Sequence, residues 1–238
     1  MLDPSLRCSL KLRDGAPVRR GQTILIVEGS ARSIFAAERT ALNFLGHLSG
    51  IATLTYEFVR RVRPLQTKIL DTRKTLPGLR ILEKYAVRIG GGHNHRMSLA
   101  EAILIKTNHL RAHSKTTGSG EWRVASGELV QQAVAKAKRL KPQRFIEVEV
   151  TNLRELRCAL RAKPDGILLD NWRVTNIKKA VMQRHFWSLV TRHSSLLEVS
   201  GGVTLANVRA IAKTGVDRIS IGRLTHSAPS LDLSLEVI

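Results

Sequence analysis

Cysteine, aromatic residues and long apolar runs are scarce in this sequence of 238 residues. The two cysteines, Cys8 and Cys158, provide neither a disulfide framework nor a CxxC motif, which favours a reducing, cytoplasmic setting. Aromatic residues make up 4% of the chain, too few for a surface on which single-stranded bases stack. No apolar run reaches the roughly 18 residues that span a bilayer, and residues 1–15 lack the apolar segment of a secretory signal. We therefore expect no membrane partner.

Acidic residues are also few: 39 lysines and arginines stand against 19 aspartates and glutamates, which gives a net charge of +20. Such a balance favours nucleic acid, a membrane surface or an anionic small molecule as the partner. The basic residues are scattered along the chain rather than gathered in a tail, as Arg60, Arg61 and Arg63 illustrate. We expect most of them to form a solvated basic surface, and binding of nucleic acid is the less favoured interpretation.

From residue 68 onward, short β-branched runs alternate with helical periods, which predicts an α/β fold with a parallel sheet. The predicted strands are 68–72, 101–106, 144–150, 166–170, 195–201 and 218–222. Asn152, Thr175 and Thr204 are predicted to be the N-caps of helices. An open doubly wound sheet often carries a GxGxxG turn after its first strand. The chain has no such turn, and we therefore favour a barrel.

Residues 31–62 carry a long helical pattern of apolar positions, in which Gly46 and Gly50 are predicted to introduce a kink or a break. The segment before this helix reads as strands joined by glycine turns. We interpret residues 1–66 as the remnant of a smaller α/β sandwich domain with a long connecting helix, and residues 67–238 as a catalytic α/β barrel. Residues 116–127 are rich in glycine, serine and threonine and are predicted to form a mobile loop.

The predicted strands all end in polar residues or glycine, and in an α/β barrel these C-terminal ends carry the functional groups. The ends include Asp71, Lys106, Glu149, Asp170, Ser200 and Gly222. Ser200, Gly201 and Gly202 follow one strand and precede a helix, so their backbone N–H groups predict a phosphate site. Gly222 ends the next strand and completes the pattern of a barrel phosphate site formed by the last two loops.

Glu149 and Asp170 end two neighbouring predicted strands and are expected to point into the same mouth of the barrel. Among so many cations, this carboxylate pair predicts a Mg²⁺ ion shared with a diphosphate. General acid–base catalysis by the pair is the alternative. Glu147, on the same strand, is expected to be a buried packing residue.

The stretch from residue 68 to residue 109 combines histidines with many cations. The spacing of His93, His95 and His109 fits no specific zinc pattern, so a transition-metal site is disfavoured. Two cations about 4 Å apart repel each other by about 4 kcal/mol at an effective dielectric of about 20, and a bound dianion would turn that repulsion into attraction. A solvated helix face is expected for three cations spaced by four residues, Arg80, Lys84 and Arg88.

Eight segments resemble, in order and spacing, quinolinate phosphoribosyltransferase, also called nicotinate-nucleotide pyrophosphorylase (carboxylating). They read ERTALNFLGHLSGIAT, DTRKTLPGLR, EKYAVRIGGGHNHR, LIKTNH, IEVEV, ILLDN, EVSGGVT and TGVDRISIGRLTHS. The resemblance implies an open-faced α/β sandwich followed by an incomplete α/β barrel, assembled as a homodimer with shared active sites; further association of dimers stays open. It also implies that quinolinate and phosphoribosyl pyrophosphate react with Mg²⁺ to give nicotinate mononucleotide, pyrophosphate and CO₂, a step of NAD biosynthesis.

The resemblance implies roles for residues of the barrel mouth and one residue of the long helix. Quinolinate would be bound by Arg73, Lys74, His95, Arg96, Lys106 and, from the neighbouring subunit, Arg39. Glu149 and Asp170 would hold the Mg²⁺-bound ribose diphosphate, and the two carboxylates and Lys106 would be the catalytic residues. The 5′-phosphate would be bound by Ser200, Gly201, Gly202, Gly222 and His226.

The chain departs from the family pattern at Leu76, where threonine is usual, and at Thr107, where an acidic residue is usual. The part before residue 20 is also short, so we expect the first helices and part of the sandwich domain to be missing. The alternative function is therefore that of a truncated, inactive barrel repurposed to bind nucleic acid or protein. Turnover with Mg²⁺ favours the enzyme, and salt-sensitive nucleic-acid binding without turnover favours the alternative.

Overall fold

A computed structural model describes residues 3–113, 127–141 and 143–238, and the predicted loop at 116–127 lies outside these ranges except for its last residue. The elements are β1 (Arg7–Leu10), β2 (Leu25–Glu28), α1 (Ala31–Val62), β3 (Lys68–Leu70), α2 (Arg80–Ile89), β4 (Ala102–Ile105), α3 (Thr107–His113), α4 (Gly127–Leu140), β5 (Phe145–Val150), α5 (Leu153–Ala162), β6 (Gly166–Asp170), α6 (Val174–Thr191), β7 (Leu196–Ser200), α7 (Val208–Ala212), β8 (Arg218–Ser220) and α8 (Arg223–His226). Across the described ranges, every helix is too short or too polar to cross a membrane.

Six parallel strands form the central sheet in the order β3-β8-β7-β6-β5-β4, and each strand predicted from the sequence is present. Within the described ranges β3 and β4 are edge strands, so the barrel is incomplete, as predicted. The segment after α2 crosses the open side. At one edge, His93 forms a parallel bridge with Leu70 of β3. At the other edge, Arg96 Nη1 donates a 2.7 Å hydrogen bond to the carbonyl of Ala102, the first residue of β4. The N-terminal strands β1 and β2 form a separate antiparallel pair.

Alternate residues of the sheet point to opposite sides, as the period of a β-strand requires. One set packs under the helices in the hydrophobic core: Val148, Val150, Ile167, Leu169, Leu197, Val199 and Ile219. The other set lines the interior of the barrel: Glu149, Leu168, Asp170, Glu198, Ser200 and Ser220. The barrel interior is therefore polar toward its C-terminal end, where the functional residues were predicted.

The long helix α1 is continuous from Ala31 to Val62, so the break that was predicted as one of two outcomes, a kink or a break, does not occur. Gly46 and Gly50 instead allow the C-terminal segment of the chain to approach the helix. A Cβ on Gly50 would lie 2.0 Å from the carbonyl oxygen of Pro229, and one on Gly46 would lie 2.8 Å from that of Leu231. The Leu231 N–H donates a 2.9 Å hydrogen bond to the Gly46 carbonyl, which fixes the two segments together.

Asn152 caps α5 as predicted, because its Oδ1 accepts a 3.0 Å hydrogen bond from the N–H of Glu155. The other two predicted N-caps were wrong. Helix α6 begins one residue before Thr175, and α7 begins only at Val208. Thr204 instead lies in the turn that precedes α7. Its N–H donates a hydrogen bond to Asn207 Oδ1, and its Oγ1 accepts one from the N–H of Asn207.

The predicted solvated face of α2 is correct for Arg88, which is exposed, and wrong for Lys84. Lys84 is 1% exposed, and its ammonium forms a 2.5 Å ion pair with the buried carboxylate of Asp71. Arg80 is half-buried and donates hydrogen bonds to Thr75 Oγ1 and to a backbone carbonyl. The spacing by four residues correctly places the three cations on one helix face, but this face is buried at Lys84 and exposed at Arg88.

Candidate active site

A cavity of about 910 Å³ opens at the C-terminal ends of the sheet strands. Every predicted site residue except Arg39 lines it: Arg73, Lys74, His95, Arg96, Lys106, Glu149, Asp170, Ser200, Gly201, Gly202, Gly222 and His226. Arg39 is exposed on α1, outside this lining. Asn171, Glu198, Arg111 and Arg223 also line the cavity and were not predicted.

The basic side of the cavity keeps cations close together. The buried Arg96 has a lowered pKa, because burial disfavours its charge and the charge of Arg73 adds to this effect. Arg73 Nε is buried and has no hydrogen-bond partner among the described residues. Neighbouring guanidinium groups with free hydrogen-bonding capacity are unfavourable alone and suit a bound carboxylate or phosphate.

The two carboxylates predicted to bind a metal ion lie in the same cavity. Burial and the charge of Glu149 raise the pKa of Asp170, although a hydrogen bond from Asn171 and the charges of nearby lysines oppose the shift. Glu149 is held by Thr107, whose N–H and Oγ1 donate to the same carboxylate oxygen, Oε1, at 3.1 and 2.6 Å. This double contact leaves Oε2 of Glu149 available to a ligand in the cavity.

The glycine turn after β7 has the geometry expected of an anion seat. Gly201 and Gly202 have φ values of +85° and +62°, which are left-handed conformations that favour glycine. A Cβ on Gly201 would lie 2.2 Å from Asn171 Oδ1, so a side chain has no room there. Gly222, after β8, lies against Lys74 and His226 and faces the same space.

Asp71, just after β3, fixes the segment that carries the histidines. Its carboxylate accepts hydrogen bonds from Lys84 Nζ and Asn94 Nδ2, both at 2.5 Å, and from the backbone N–H of His95 at 2.9 Å. The sequence predicted that Asp71 ends a strand, but it gave no sign of these partners. The consequence is a fixed backbone at the position where His95 enters the cavity.

His95 lies at the floor of the cavity between two carboxylates of the barrel interior. Its Nε2 is 3.0 Å from Glu147 Oε2 and 3.3 Å from Glu198 Oε1. Burial opposes protonation of the ring, but the hydrogen bonds to Glu147 and Glu198 outweigh it and raise the pKa of His95 to about 9. Glu147 is buried as predicted, but it also contacts this histidine. The alternation of β7 places Glu198 two residues before Ser200, and this signal would have identified it.

The three histidines that were considered as metal ligands do not form a cluster in the described part of the chain. His109 Nδ1 accepts a 3.1 Å hydrogen bond from the N–H of Lys106. Burial, together with the charges of Lys68 and Arg218, lowers the pKa of His93. Among the described residues, the group with ligand atoms at metal-binding separations is His95 with Glu147 and Glu198.

Comparison with known families and proteins adds to this geometry. Residues 51–236 match the family profile described as "Quinolinate phosphoribosyl transferase, C-terminal domain", and residues 1–49 match that described as "N-terminal domain" of the same family. The chain is 43% identical over 231 residues to the nicotinate-nucleotide pyrophosphorylase [carboxylating] of Mycobacterium leprae, which covers 97% of this chain and 75% of that protein.

Solved structures show the same similarity. The nicotinate-nucleotide pyrophosphorylase of Francisella tularensis superposes with a TM-score of 0.82 at 42% identity, covering 98% of this chain and 75% of that one. NadC from Streptococcus pyogenes superposes with a TM-score of 0.84 at 38% identity, covering 99% of this chain and 76% of that one. The similarity thus extends over nearly the whole of the present chain and about three quarters of each relative.

Proposed function

The chain belongs to the quinolinate phosphoribosyltransferase family, and we propose that it transfers the phosphoribosyl group of phosphoribosyl pyrophosphate to quinolinate. Decarboxylation follows, and the products are nicotinate mononucleotide, pyrophosphate and CO₂. The observation that carries this proposal is a single cavity that joins a cation cluster, a carboxylate pair and a glycine anion seat. The cation cluster matches the dicarboxylate, the carboxylate pair matches a metal-bound diphosphate, and the glycine seat matches the 5′-phosphate.

Quinolinate is placed on the basic side of the cavity. Its two carboxylates match the guanidinium groups of Arg73 and Arg96, since arginine binds a carboxylate through two parallel N–H donors. Lys74, Lys106 and His95 supply further positive charge to the same region. These groups hold the pyridine ring so that its nitrogen faces the anomeric carbon of the ribose.

We assign the phosphoribosyl group to the part of the cavity that carries the glycine turns. Its 5′-phosphate is bound by backbone N–H groups of Ser200, Gly201 and Gly202, with Gly222 and His226 completing the seat. The space beside Gly202 is open, so a phosphate can approach the backbone there, and the Asn171 N–H holds the start of the turn by a 2.8 Å hydrogen bond to the Ser200 carbonyl.

Glu149 and Asp170 would hold Mg²⁺ together with the diphosphate. The residues present fit such an ion, because the charge of Glu149 contributes to the raised pKa of Asp170 and a divalent cation would relieve that repulsion. When bound, Mg²⁺ supplies positive charge to the departing pyrophosphate. Lys106, also in the cavity, stabilises the same anion.

The reaction needs no nucleophilic side chain. The C–O bond to pyrophosphate breaks with its electron pair going to pyrophosphate, and the pyridine nitrogen of quinolinate forms the new C–N bond to the ribose. The charges of Glu149 and Asp170, which line the same cavity, would stabilise positive charge on the ribose ring. The resulting pyridinium then accepts the electron pair of the adjacent carboxylate as CO₂ leaves, and a proton replaces it on the ring.

Assembly and location are part of the same proposal. Arg39 is exposed on α1 outside the cavity, which supports a role in the active site of a neighbouring subunit of a homodimer. We also propose a division at residue 66 between the N-terminal segment with its helix and the catalytic barrel, and a cytoplasmic location. The alternative of an inactive, repurposed barrel has no specific support, because the predicted catalytic residues all line one cavity.

The deciding experiment incubates the purified chain with quinolinate, phosphoribosyl pyrophosphate and Mg²⁺ and measures nicotinate mononucleotide by chromatography. We expect product that disappears with EDTA and in the Asp170→Asn variant. The Glu57→Gln variant, which alters a carboxylate of α1 outside the cavity, is the matched control and should keep full activity. A folded chain that forms no product, and instead binds DNA or RNA in a salt-sensitive way, would favour the alternative function.

A further inference from the structure

Glu147 and Glu198 are buried in the interior of the barrel, Glu198 as part of the cavity lining, and neither has a role in the reaction described above. They are 1% and 0% exposed. Glu147 Oε1 and Glu198 Oε2 have no hydrogen-bond partner among the described residues, and Glu198 Oε1 has only its 3.3 Å contact with His95. Burying a carboxylate without full hydrogen bonding is unfavourable, so two of them side by side are not explained by stability.

Both carboxylates point to one atom, Nε2 of His95, at 3.0 Å for Glu147 and 3.3 Å for Glu198. They come from β5 and β7, which flank β6 in the sheet. The inward position of β6 beside Glu147 is Gly166, where a Cβ would lie 3.1 Å from Glu147 Oε1. The sheet therefore leaves room for the two carboxylates to converge on the imidazole ring.

We propose that Glu147 and Glu198 are positioning residues for substrate binding, which hold His95 so that its other ring nitrogen, Nδ1, donates a hydrogen bond to a substrate carboxylate. His95 lines the cavity, and its Nδ1 has no partner within the described ranges. The inference rests on the proposed function and deepens it, because it explains how the cavity recognises an aromatic 1,2-dicarboxylate. Asp71 supports the same arrangement by holding the backbone N–H of His95.

The charges that face His95 support this role. Glu147 approaches from β5, Glu198 from β7, and Arg218 of β8 lies 4.0 Å from the far oxygen of Glu198. Burial disfavours a charged ring, but the two carboxylates outweigh it and raise the pKa of His95 to about 9. At neutral pH both ring nitrogens then carry a hydrogen, so Nδ1 acts as a donor. We interpret the cluster as an ion pair, because two carboxylates face the same ring nitrogen.

The test uses the full chain with Glu147→Gln, Glu198→Gln and the double substitution. We expect KM for quinolinate to rise roughly tenfold or more in the double variant, since charged hydrogen bonds to a buried group are lost. The value of kcat at saturating substrate and KM for phosphoribosyl pyrophosphate should change about threefold at most. Glu83→Gln is the matched control, because Glu83 is a buried carboxylate 2.9 Å from His47 outside the cavity. It should leave KM for quinolinate within about twofold.

A second measurement follows the ring directly by ¹⁵N NMR at pH 7.5. We expect the signals of a protonated imidazole for His95 in the wild type and of a neutral one in the double variant. If the double variant does not fold, the same comparison with Glu198→Gln decides the matter. An unchanged KM for quinolinate overturns the proposal, and so does an equal loss of all kinetic constants in these variants and in Glu83→Gln.

The failure of this inference is distinguishable from that of the proposed function. A wild-type chain without turnover contradicts the proposed function. Calorimetric binding of quinolinate still tests the positioning role in that case. Binding that weakens in the double variant supports the role, and equal affinity in both proteins overturns it.

Discussion

The Lys84→Met substitution removes one partner of a buried ion pair while preserving most of the apolar stem. Lys84 and Asp71 are both buried, and the 2.5 Å contact between them joins α2 to the end of β3. Without the ammonium, the Asp71 carboxylate keeps the N–H groups of Asn94 and His95 but loses its positive partner. The substitution therefore leaves a partly compensated charge in the interior.

Breaking a buried pair from one side costs about 3–5 kcal/mol. For a chain of this size each kcal/mol lowers the melting temperature by about 2–4 °C, so we expect a fall of roughly 6–20 °C. Arg88 lies one turn further along the same helix and is exposed, so Arg88→Met should cost about 0.5 kcal/mol or less. The double change Lys84→Met with Asp71→Asn removes the orphaned charge and should recover part of the loss.

Urea unfolding at pH 7, followed by circular dichroism, measures these free energies for the wild type and the three variants. Thermal scans provide the melting temperatures of the same samples. Equal and small losses in Lys84→Met and Arg88→Met would refute the reasoning, because they would place Lys84 at the surface. A double variant less stable than Lys84→Met would also contradict it.

Three further predictions concern the active site. Arg39→Ala should abolish product formation while size-exclusion chromatography still shows a folded dimer; normal turnover would contradict a shared site. Thr107→Val removes the hydroxyl that donates to Glu149 and should lower kcat/KM by roughly 10- to 100-fold, whereas Thr107→Ser should lose only a few-fold; equal losses in both would show that the hydroxyl is not responsible. Since the pKa of His95 is raised from 6.5 to about 9, its contribution to stability is full below pH 6.5 and is lost as the pH rises through about 9. The free-energy difference between wild type and His95→Asn should therefore shrink by up to about 3 kcal/mol between pH 6 and pH 10, and a constant difference would contradict the assignment.

The barrel was predictable because its sequence signals are local. A run such as residues 166–170 is short and mostly apolar, and the alternation of a strand decides which of its side chains enter the core and which enter the cavity. The glycine turn after β7 was predictable for a similar reason, since backbone N–H groups before a helix suit an anion regardless of distant contacts.

The misjudged positions depend on partners distant in sequence. Lys84 belongs to a regular basic pattern, and only the arrival of Asp71 from the sheet makes burial favourable. Gly46 and Gly50 suggested a weak point in α1 because the segment that packs on them is near the other end of the chain. The alternation of β7 was enough to identify Glu198 as an inward-facing residue. Its convergence with Glu147 on His95, however, depends on how β5, β6 and β7 pair in the sheet.

The contact between α1 and residues 229–231 also has a consequence for biosynthesis. The glycines of α1 are synthesised roughly 180 residues before the backbone that covers them. At about 5–20 residues per second, α1 waits on the order of ten seconds or longer for its cover. During that interval the face of α1 that carries Gly46 and Gly50 is exposed to chaperones and to other nascent chains. The packing of α1 against residues 229–231 is therefore a late event in the synthesis of this fold.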